Sequence, residues 1–248
     1  MIKMLIPMFK FEFKLFFRNI VNVFFLLVFP TMMLLIFGNI FGNLPVPEFG
    51  GFGTVDITVP AYIGMIICVN GLMNLPLTLC EYREKKVLKR YKATPLRPMT
   101  VIMAQIFVNL LMTIIGAMVL ILFAKLLFDL NFHGNILVVS LTFLLSTMSV
   151  FAIGFVIASV SPNMKAATAI ANLVYFPMLF LTGATIPLAL MPDLMQRLAH
   201  ALPITHVVIL LRGAWTGLPT TENIINIVIL ISITVICFGL SVKFFKWE

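Results

Sequence analysis

Long apolar stretches without charged side chains dominate the chain. Six stretches of at least 20 residues contain no Asp, Glu, Lys or Arg. A helix of about 20 apolar residues crosses the hydrocarbon core of a bilayer, and one charge at its centre costs about 3 kcal/mol. The pattern therefore predicts six membrane-spanning helices, at residues 20–42, 58–79, 101–124, 136–160, 167–186 and 223–242.

The composition supports lipid as the solvent for most of this chain. Of its 248 residues, 61% are hydrophobic and 10% are charged, whereas a soluble domain carries about 25% charged residues. The predicted fold is an all-α membrane protein that forms one transmembrane domain over residues 1–248. The three cysteines fall in or beside spans and do not form a CxxC or Cys/His cluster, so the sequence predicts no metal site.

The basic residues are distributed unevenly between the two sides of the predicted membrane. If the N-terminus is inside, fourteen of the seventeen Lys and Arg residues fall on the inner side and three on the outer side. Short inner loops of membrane proteins carry such an excess of Lys and Arg. The net charge of +8 is therefore interpreted as a sign of orientation, with both termini in the cytoplasm, and not of nucleic-acid binding.

Two segments outside the spans are expected to lie at the membrane surface. Residues 3–18 combine an aromatic face with Lys and Arg, which is typical of an interfacial helix on the inner leaflet. Residues 187–222 are too apolar for a free loop, and Pro187, Pro192 and Pro203 cut them into short pieces. One or two short re-entrant helices in the outer leaflet are predicted there, because such structure is tolerated when it is buried in protein.

The only densely charged segment is the loop at residues 81–98, which holds seven of the seventeen Lys and Arg residues and two of the nine acids. Glu81 and Lys85 stand at i and i+4 in the favourable order, which predicts a helix. The segment also contains Leu88, Tyr91, Pro95 and Pro98. Basic residues alone would explain a lipid anchor. The acids, the apolar strip and the prolines favour a docking element for a soluble partner.

Motifs that carry enzymatic chemistry are absent from the sequence. There is no G-x-x-x-x-G-K-[ST] run to cradle ATP phosphates and no G-x-S-x-G nucleophile elbow. The predicted spans contain no carboxylate of the kind that a proton-driven carrier often uses. These absences predict that this chain is not an enzyme, and the missing carboxylate weighs against a proton relay without excluding a carrier.

Two blocks of sequence resemble one known family. Residues 81–86 (EYREKK) and 94–98 (TPLRP) are similar to the first cytoplasmic loop of type-2 ABC exporter permeases. A second block, which includes residues 181–184 (LTGA) and 202–206 (LPITH), resembles that family's fifth-span and outer-leaflet signature. The resemblance covers nearly the whole chain, including the six spans and the N-terminal helix.

The resemblance implies roles for particular residues. Residues 81–92 would form a coupling helix seated in a cleft of a separate ATPase, and the short outer helices would close the path. The implied coupling residues are Glu81, Arg83, Glu84, Lys85, Leu88, Tyr91, Pro95 and Pro98. The implied outer-gate residues are Gly183, Pro187, Pro192, Pro203, Thr205 and His206.

Polar and aromatic residues inside the spans are candidates for the translocation path. For any single polar residue, hydrogen bonding between helices, worth about 1 kcal/mol each, is the favoured alternative role, and most phenylalanines in spans face lipid or neighbouring helices. The candidates are Asn70, Asn74, Asn109, Asn172, Phe176 and Phe180.

The resemblance also implies partners and an activity. The family works as two permeases with two ATPases, so we expect a second permease copy or a sister permease. ATP and Mg²⁺ would be bound by the ATPase, and no cofactor by this chain. The expected function is export of a drug, antibiotic or small peptide across the cell membrane. A lipid-linked polysaccharide exporter is the alternative, and an ion-gradient carrier is a further one.

Overall fold

The computed structural model describes residues 2–47, 50–87, 98–181, 192–217 and 221–244. Nearly all of this part is helical, and it folds into one bundle. Its helices are α1 (Ile2–Arg18), α2 (Ile20–Phe41), α3 (Thr54–Glu84), α4 (Pro98–Phe128), α5 (Ile136–Val160), α6 (Met164–Leu181), α7 (Asp193–His200), α8 (Pro203–Thr216) and α9 (Thr221–Phe244).

Six of these helices, α2 to α6 and α9, are long and apolar enough to cross a membrane. They match the six apolar stretches, and the prediction of six spanning helices is confirmed. The predicted second span, residues 58–79, is shorter than α3, which is 31 residues long. One reason is that the polar last turn of α3 continues the same helix. The fifth stretch was predicted to end at residue 186, and α6 is described as far as Leu181.

Helices α7 and α8 meet at an angle of 89°. One or two short helices were predicted between the fifth and sixth spans, and the described residues of that segment form two. A sharp bend follows from Pro203, which begins α8 and cannot continue α7. The position of α7 and α8 within a membrane stays a prediction. If they count together as one broken span, the chain has seven.

Helix α3 lies at the centre of the bundle. Within its most apolar window 83% of the residues are buried, against 17% for α9 and 22% for α2. Helices α2, α4, α5 and α8 all pack against it. A displacement of the end of α3 would therefore also displace most of the other spans, because they pack against it.

A close backbone approach joins α3 to α5. A Cβ atom added to Gly154 would lie 2.0 Å from the carbonyl oxygen of Gly71, so a larger residue does not fit. Small residues allow this kind of helix contact in membranes. Gly71 belongs to a π-helical turn, Val69–Asn74, and such turns are often found at functional sites.

The two ends of the bundle are named after the predicted orientation. The inner end carries α1, residues 81–87 and the turn between α5 and α6, and the outer end carries α7 and α8. At the outer end the carboxylate of Asp56, 3% exposed, accepts hydrogen bonds from Asn43 Nδ2 at 2.9 Å, Asn131 N at 2.9 Å and Gly53 N at 3.2 Å. This outer cap fastens α3 to the ends of α2 and α4.

Candidate coupling site at the inner end

The last turn of α3 carries the first predicted coupling residues. Lys85 Nζ donates to Glu81 Oε1 and both side chains are exposed, so the i, i+4 pair exists as predicted. The helix does not continue to residue 92. It ends at Glu84, and Lys86 has a φ of 54° in the left-handed region.

The prediction of one coupling helix over residues 81–92 is therefore wrong at its start, because residues 81–84 belong to the second span. A non-glycine residue in the left-handed region interrupts a right-handed helix. Pro98 begins α4. Three further predicted coupling residues lie outside the described residues: Leu88, Tyr91 and Pro95.

Arg83 holds the C-terminal end of α5. Its Nη1 donates to Ala158 O at 3.2 Å, and its Nη2 donates to Ser161 O. The last carbonyls of a helix have no partner within the helix, and a cation there also interacts favourably with the helix dipole. Arg83 thereby joins α3 to the inner end of α5.

Glu84 holds the N-terminal end of α6. Its Oε2 accepts a hydrogen bond from Met164 N at 3.2 Å, and an acid at a helix N-terminus interacts favourably with the dipole there. We call the contacts of Arg83 and Glu84 with residues 158–164 the α3 clasp. Both residues were predicted to contact a separate ATPase, and in this chain both already contact the α5–α6 turn.

A buried acid fixes α1 against the bundle. Glu12 is 2% exposed, and its Oε2 accepts from Tyr82 Oη at 2.6 Å and from Gln105 Nε2 at 2.5 Å. Burial raises the pKa of Glu12 to about 7, although the hydrogen bond from Tyr82 acts in the opposite direction. Its other oxygen, Oε1, is buried without a hydrogen-bond partner.

Glu12 is also the start of a buried polar chain that runs along α4 towards the middle of the bundle. Asn109 Nδ2 donates to Gln105 O at 2.8 Å, and Thr113 Oγ1 donates to Asn109 O at 2.7 Å. From α3, Asn70 Nδ2 donates to Asn109 O at 2.5 Å and to Thr113 Oγ1 at 2.7 Å. This chain holds α3 against α4.

The predicted path residues therefore divide into two groups. Asn70, Asn74 and Asn109 are buried between α3 and α4, where Asn74 Nδ2 donates to Asn70 Oδ1 at 3.1 Å. These contacts agree with the alternative role of hydrogen bonding between helices.

The second group lies on the surface of α6. Phe176 and Phe180 are 50% and 59% exposed, and Asn172 is half-buried on the same helix face. The path role of both groups stays a prediction.

At the outer end, His206 connects three helices. Its Nδ1 lies 2.6 Å from Asn226 Oδ1 on α9, and its Nε2 lies 3.0 Å from His200 O on α7. Thr205 Oγ1 donates to Ala199 O at 2.6 Å. Pro192 and Pro203 precede and begin α7 and α8 respectively. The other two gate residues, Gly183 and Pro187, lie outside the described residues.

Sequence reasoning missed the role of Glu12 and Tyr82. Glu12 was not among the predicted site residues, but it lies in the buried stripe between Met8 and Phe16. One signal could have found it. It is the single acid in a helix with four basic residues, and it stands at helical spacing from two apolar neighbours.

The fold and this site define the class of protein as a multi-pass α-helical membrane protein with a polar, charged inner end. A sequence model of the ABC-2 type transporter family matches residues 5–215. The chain belongs to the ABC-2 type transporter family as a membrane permease domain, and the resemblance seen in the sequence is confirmed.

Named relatives are similar to parts of the chain. Nodulation protein J of Sinorhizobium fredii is 41% identical over 66 residues, which cover 27% of this chain and 25% of that protein. Inner membrane transport permease YhhJ of Escherichia coli is 26% identical over 167 residues, which cover 62% of this chain and 45% of that protein. The chain spans less than half the length of the curated relatives it matches.

Proposed function

We propose that this chain is the permease subunit of an ATP-binding-cassette exporter in the cell membrane. It moves a hydrophobic or amphipathic substrate, a drug, antibiotic or small peptide, out of the cell. A separate subunit binds ATP and Mg²⁺ and hydrolyses the ATP. Two permeases, either two copies of this chain or this chain and a sister permease, work with two ATPases. The inner end faces the cytoplasm.

The α3 clasp is the observation that carries this proposal. Four of the five residues 81–85 are charged, and they begin the segment 81–98 that contains the ATPase-docking residues implied by the family resemblance. Arg83 and Glu84 join this end of α3 to the end of α5 and the start of α6. A push on residues 81–98 is therefore transmitted to three spans together.

Coupling then follows from rigid-body motion of packed helices. ATP binding closes the two ATPases and displaces the inner end of α3, and the clasp carries α5 and α6 with it. Packed helices shift between discrete arrangements and do not deform continuously. ATP drives transport only because the substrate and the closed ATPases each bind one arrangement better than the other.

The exposed surface of the helices supports the proposed cargo class. The connections at residues 129–135 and 161–163 are short, so the bundle itself offers most of the surface for a substrate. Large apolar side chains are exposed on α2, α6 and α9. A surface of this kind suits a molecule that partitions into the bilayer.

One experiment tests the transport proposal directly. The chain is expressed in its native host, purified with its bound subunits, and reconstituted into vesicles with a fluorescent amphipathic substrate. We expect an ATPase to copurify and substrate movement to require ATP. A complex without an ATPase subunit, together with movement that continues without ATP, contradicts the proposal.

Substitutions of Glu84 separate the clasp from a direct ATPase contact. Glu84→Gln keeps an oxygen that can accept from Met164 N, so substrate-stimulated ATPase activity should stay within about twofold of the wild type, in keeping with a loss of at most ~0.5 kcal/mol. Glu84→Lys places a cation at the N-terminus of α6 and should lower stimulation about tenfold. Equal loss in both variants would instead assign Glu84 to a charged contact with the partner.

A further inference from the structure

A cavity of about 630 Å³ opens at the inner end, between α1, the start of α2, the end of α3 and α4. We call it the inner cavity. Its volume lies within the range of small-molecule sites, which is about 300 to 1,000 Å³. The inner cavity is lined by residues of one chain, so it does not need a second permease copy to form.

Two residues of the cavity wall have an unused hydrogen-bonding atom. Glu12 Oε1 and Asn109 Oδ1 are both buried without a partner. Both atoms are acceptors, and a buried acceptor left unpaired is unfavourable. The terminal torsions of Glu and Asn side chains are broad, so a small rotation turns either oxygen towards the cavity. The site therefore suits a ligand that donates hydrogen bonds.

The charges of the wall favour a cationic donor next to Glu12. Lys85 is paired with Glu81 in the one salt bridge among the described residues. Arg18, the other basic residue of the wall, is exposed at the end of α1, six residues from Glu12, or about 9 Å along the helix axis. Glu12 therefore has no basic partner among the described residues. An ammonium group would supply the missing opposite charge.

The cavity also reaches the apolar surface of the bundle. Ile20 belongs to its wall and is 79% exposed, and its neighbours Val21 and Phe17 are exposed as well. Exposed apolar side chains at the start of a spanning helix face the acyl chains of the inner leaflet. An amphiphile can therefore place its polar head in the cavity and keep its tail in the bilayer.

We propose that the inner cavity binds the primary-ammonium head group of an amphiphile, whose hydrogen bonds are accepted by Glu12 and Asn109. Two sources supply this chemistry, an ethanolamine phospholipid of the inner leaflet and an amine-bearing cargo. Only the cargo source depends on the proposed export function. Binding itself requires no ATPase, so a failure of binding and a failure of transport are observed separately.

The test measures ligand retention by the purified protein in lipid nanodiscs. Discs of phosphatidylcholine receive a rising share of phosphatidylethanolamine, and native mass spectrometry counts the retained lipids. A choline head group carries no N–H donor and is the matched control ligand. We expect selective retention of the ethanolamine lipid, and an affinity at least tenfold lower in Glu12→Gln. Asp193→Asn makes the same carboxyl-to-amide change at an exposed acid on α7 and should leave retention unchanged.

A second ligand identifies the source and keeps the test independent of how well a variant folds. Dodecylamine is added to wild-type protein in choline-only discs, with dodecyltrimethylammonium as its control. Retention of dodecylamine assigns the site to an amine-bearing cargo, and retention of the ethanolamine phospholipid alone assigns it to the bilayer. Equal retention of the primary amines and their trimethylated controls, or unchanged affinity in a folded Glu12→Gln protein, overturns the proposal.

Discussion

Two buried acids, one at each end of the bundle, differ in how completely their oxygens are used. At the outer end Asp56 accepts from three N–H donors of three different segments. At the inner end Glu12 accepts with one oxygen and leaves the other unpaired. Both are almost fully buried, so exposure does not distinguish them.

The difference separates an acid with a structural role from the acid that we propose binds a ligand. A buried carboxylate that accepts several N–H bonds is stabilised in place, and Asp56 fixes the α2–α3 loop and the start of the α4–α5 loop. One oxygen of Glu12 accepts no hydrogen bond. Glu12 also lies in the wall of a cavity, beside the helix end that carries the α3 clasp. Incomplete hydrogen bonding at a buried group is therefore more informative about function here than burial or charge.

The largest expected effect on stability comes from the outer acid. Asp56→Ala leaves the side chain of Asn43 and the amides of Gly53 and Asn131 without their acceptor, and each buried unpaired group costs about 1 to 3 kcal/mol. The free energy of unfolding should fall by about 3 kcal/mol, seen as a lower melting temperature in detergent. Asp56→Asn retains one oxygen and should lose less. An unchanged melting temperature in Asp56→Ala contradicts the structural role.

The inner acid should instead make stability depend on pH. Burial raises the pKa of Glu12 to about 7 from an ordinary value of 4.5, so between these values the folded protein binds more protons than the unfolded chain. Stability is then highest below pH 4.5 and is lost as pH rises through 7, by roughly 3 kcal/mol in total.

Glu12→Gln provides the comparison for that pH dependence. The other titratable groups of the cavity wall are Arg18, Glu81, Tyr82 and Lys85, whereas α4 contributes neutral amides. The difference in melting temperature between the wild type and Glu12→Gln, measured from pH 5 to 8 in choline lipid, should therefore change with pH. A constant difference would show that Glu12 keeps one protonation state throughout this range.

The smallest expected effect on stability belongs to the exposed pair at the inner end. Exposed ion pairs contribute little to folding, so Glu81→Gln should not change the melting temperature measurably. Because Glu81 is a predicted ATPase contact, the same variant should lower substrate-stimulated ATPase activity. Stability that falls as far as in Asp56→Ala would give this pair a structural role, and unaltered stimulation would remove Glu81 from the docking surface.

The spans could be predicted from the sequence because the free-energy cost of placing a charged side chain in lipid depends only on the segment that carries it. Each apolar stretch could be recognised without reference to any other, and the bounds of α5 were predicted to the residue. The i, i+4 pair of Glu81 and Lys85 was predictable for the same reason, since helical spacing alone brings the two side chains together.

Contacts between distant segments could not be predicted in this way. Arg83 and Glu84 were predicted to contact a separate ATPase, but within this chain they meet residues about 80 positions later at the ends of two other helices. Likewise, no periodicity in α1 reveals that Tyr82 and Gln105 surround Glu12. Such contacts depend on how helices pack, and one sequence contains no direct record of that packing.

The α3 clasp predicts that the inner end of α3 and the start of α6 move as one body when ATP binds. Paired spin labels at Lys85 and Lys165, both exposed, report this distance in the complex with its ATPase. A second pair, at Lys85 and the exposed Ile224 on α9, reports motion relative to the outer end. We predict that trapped ATP shifts the second distance and leaves the first unchanged. A shift in the first distance, or a constant second one, would contradict the claim.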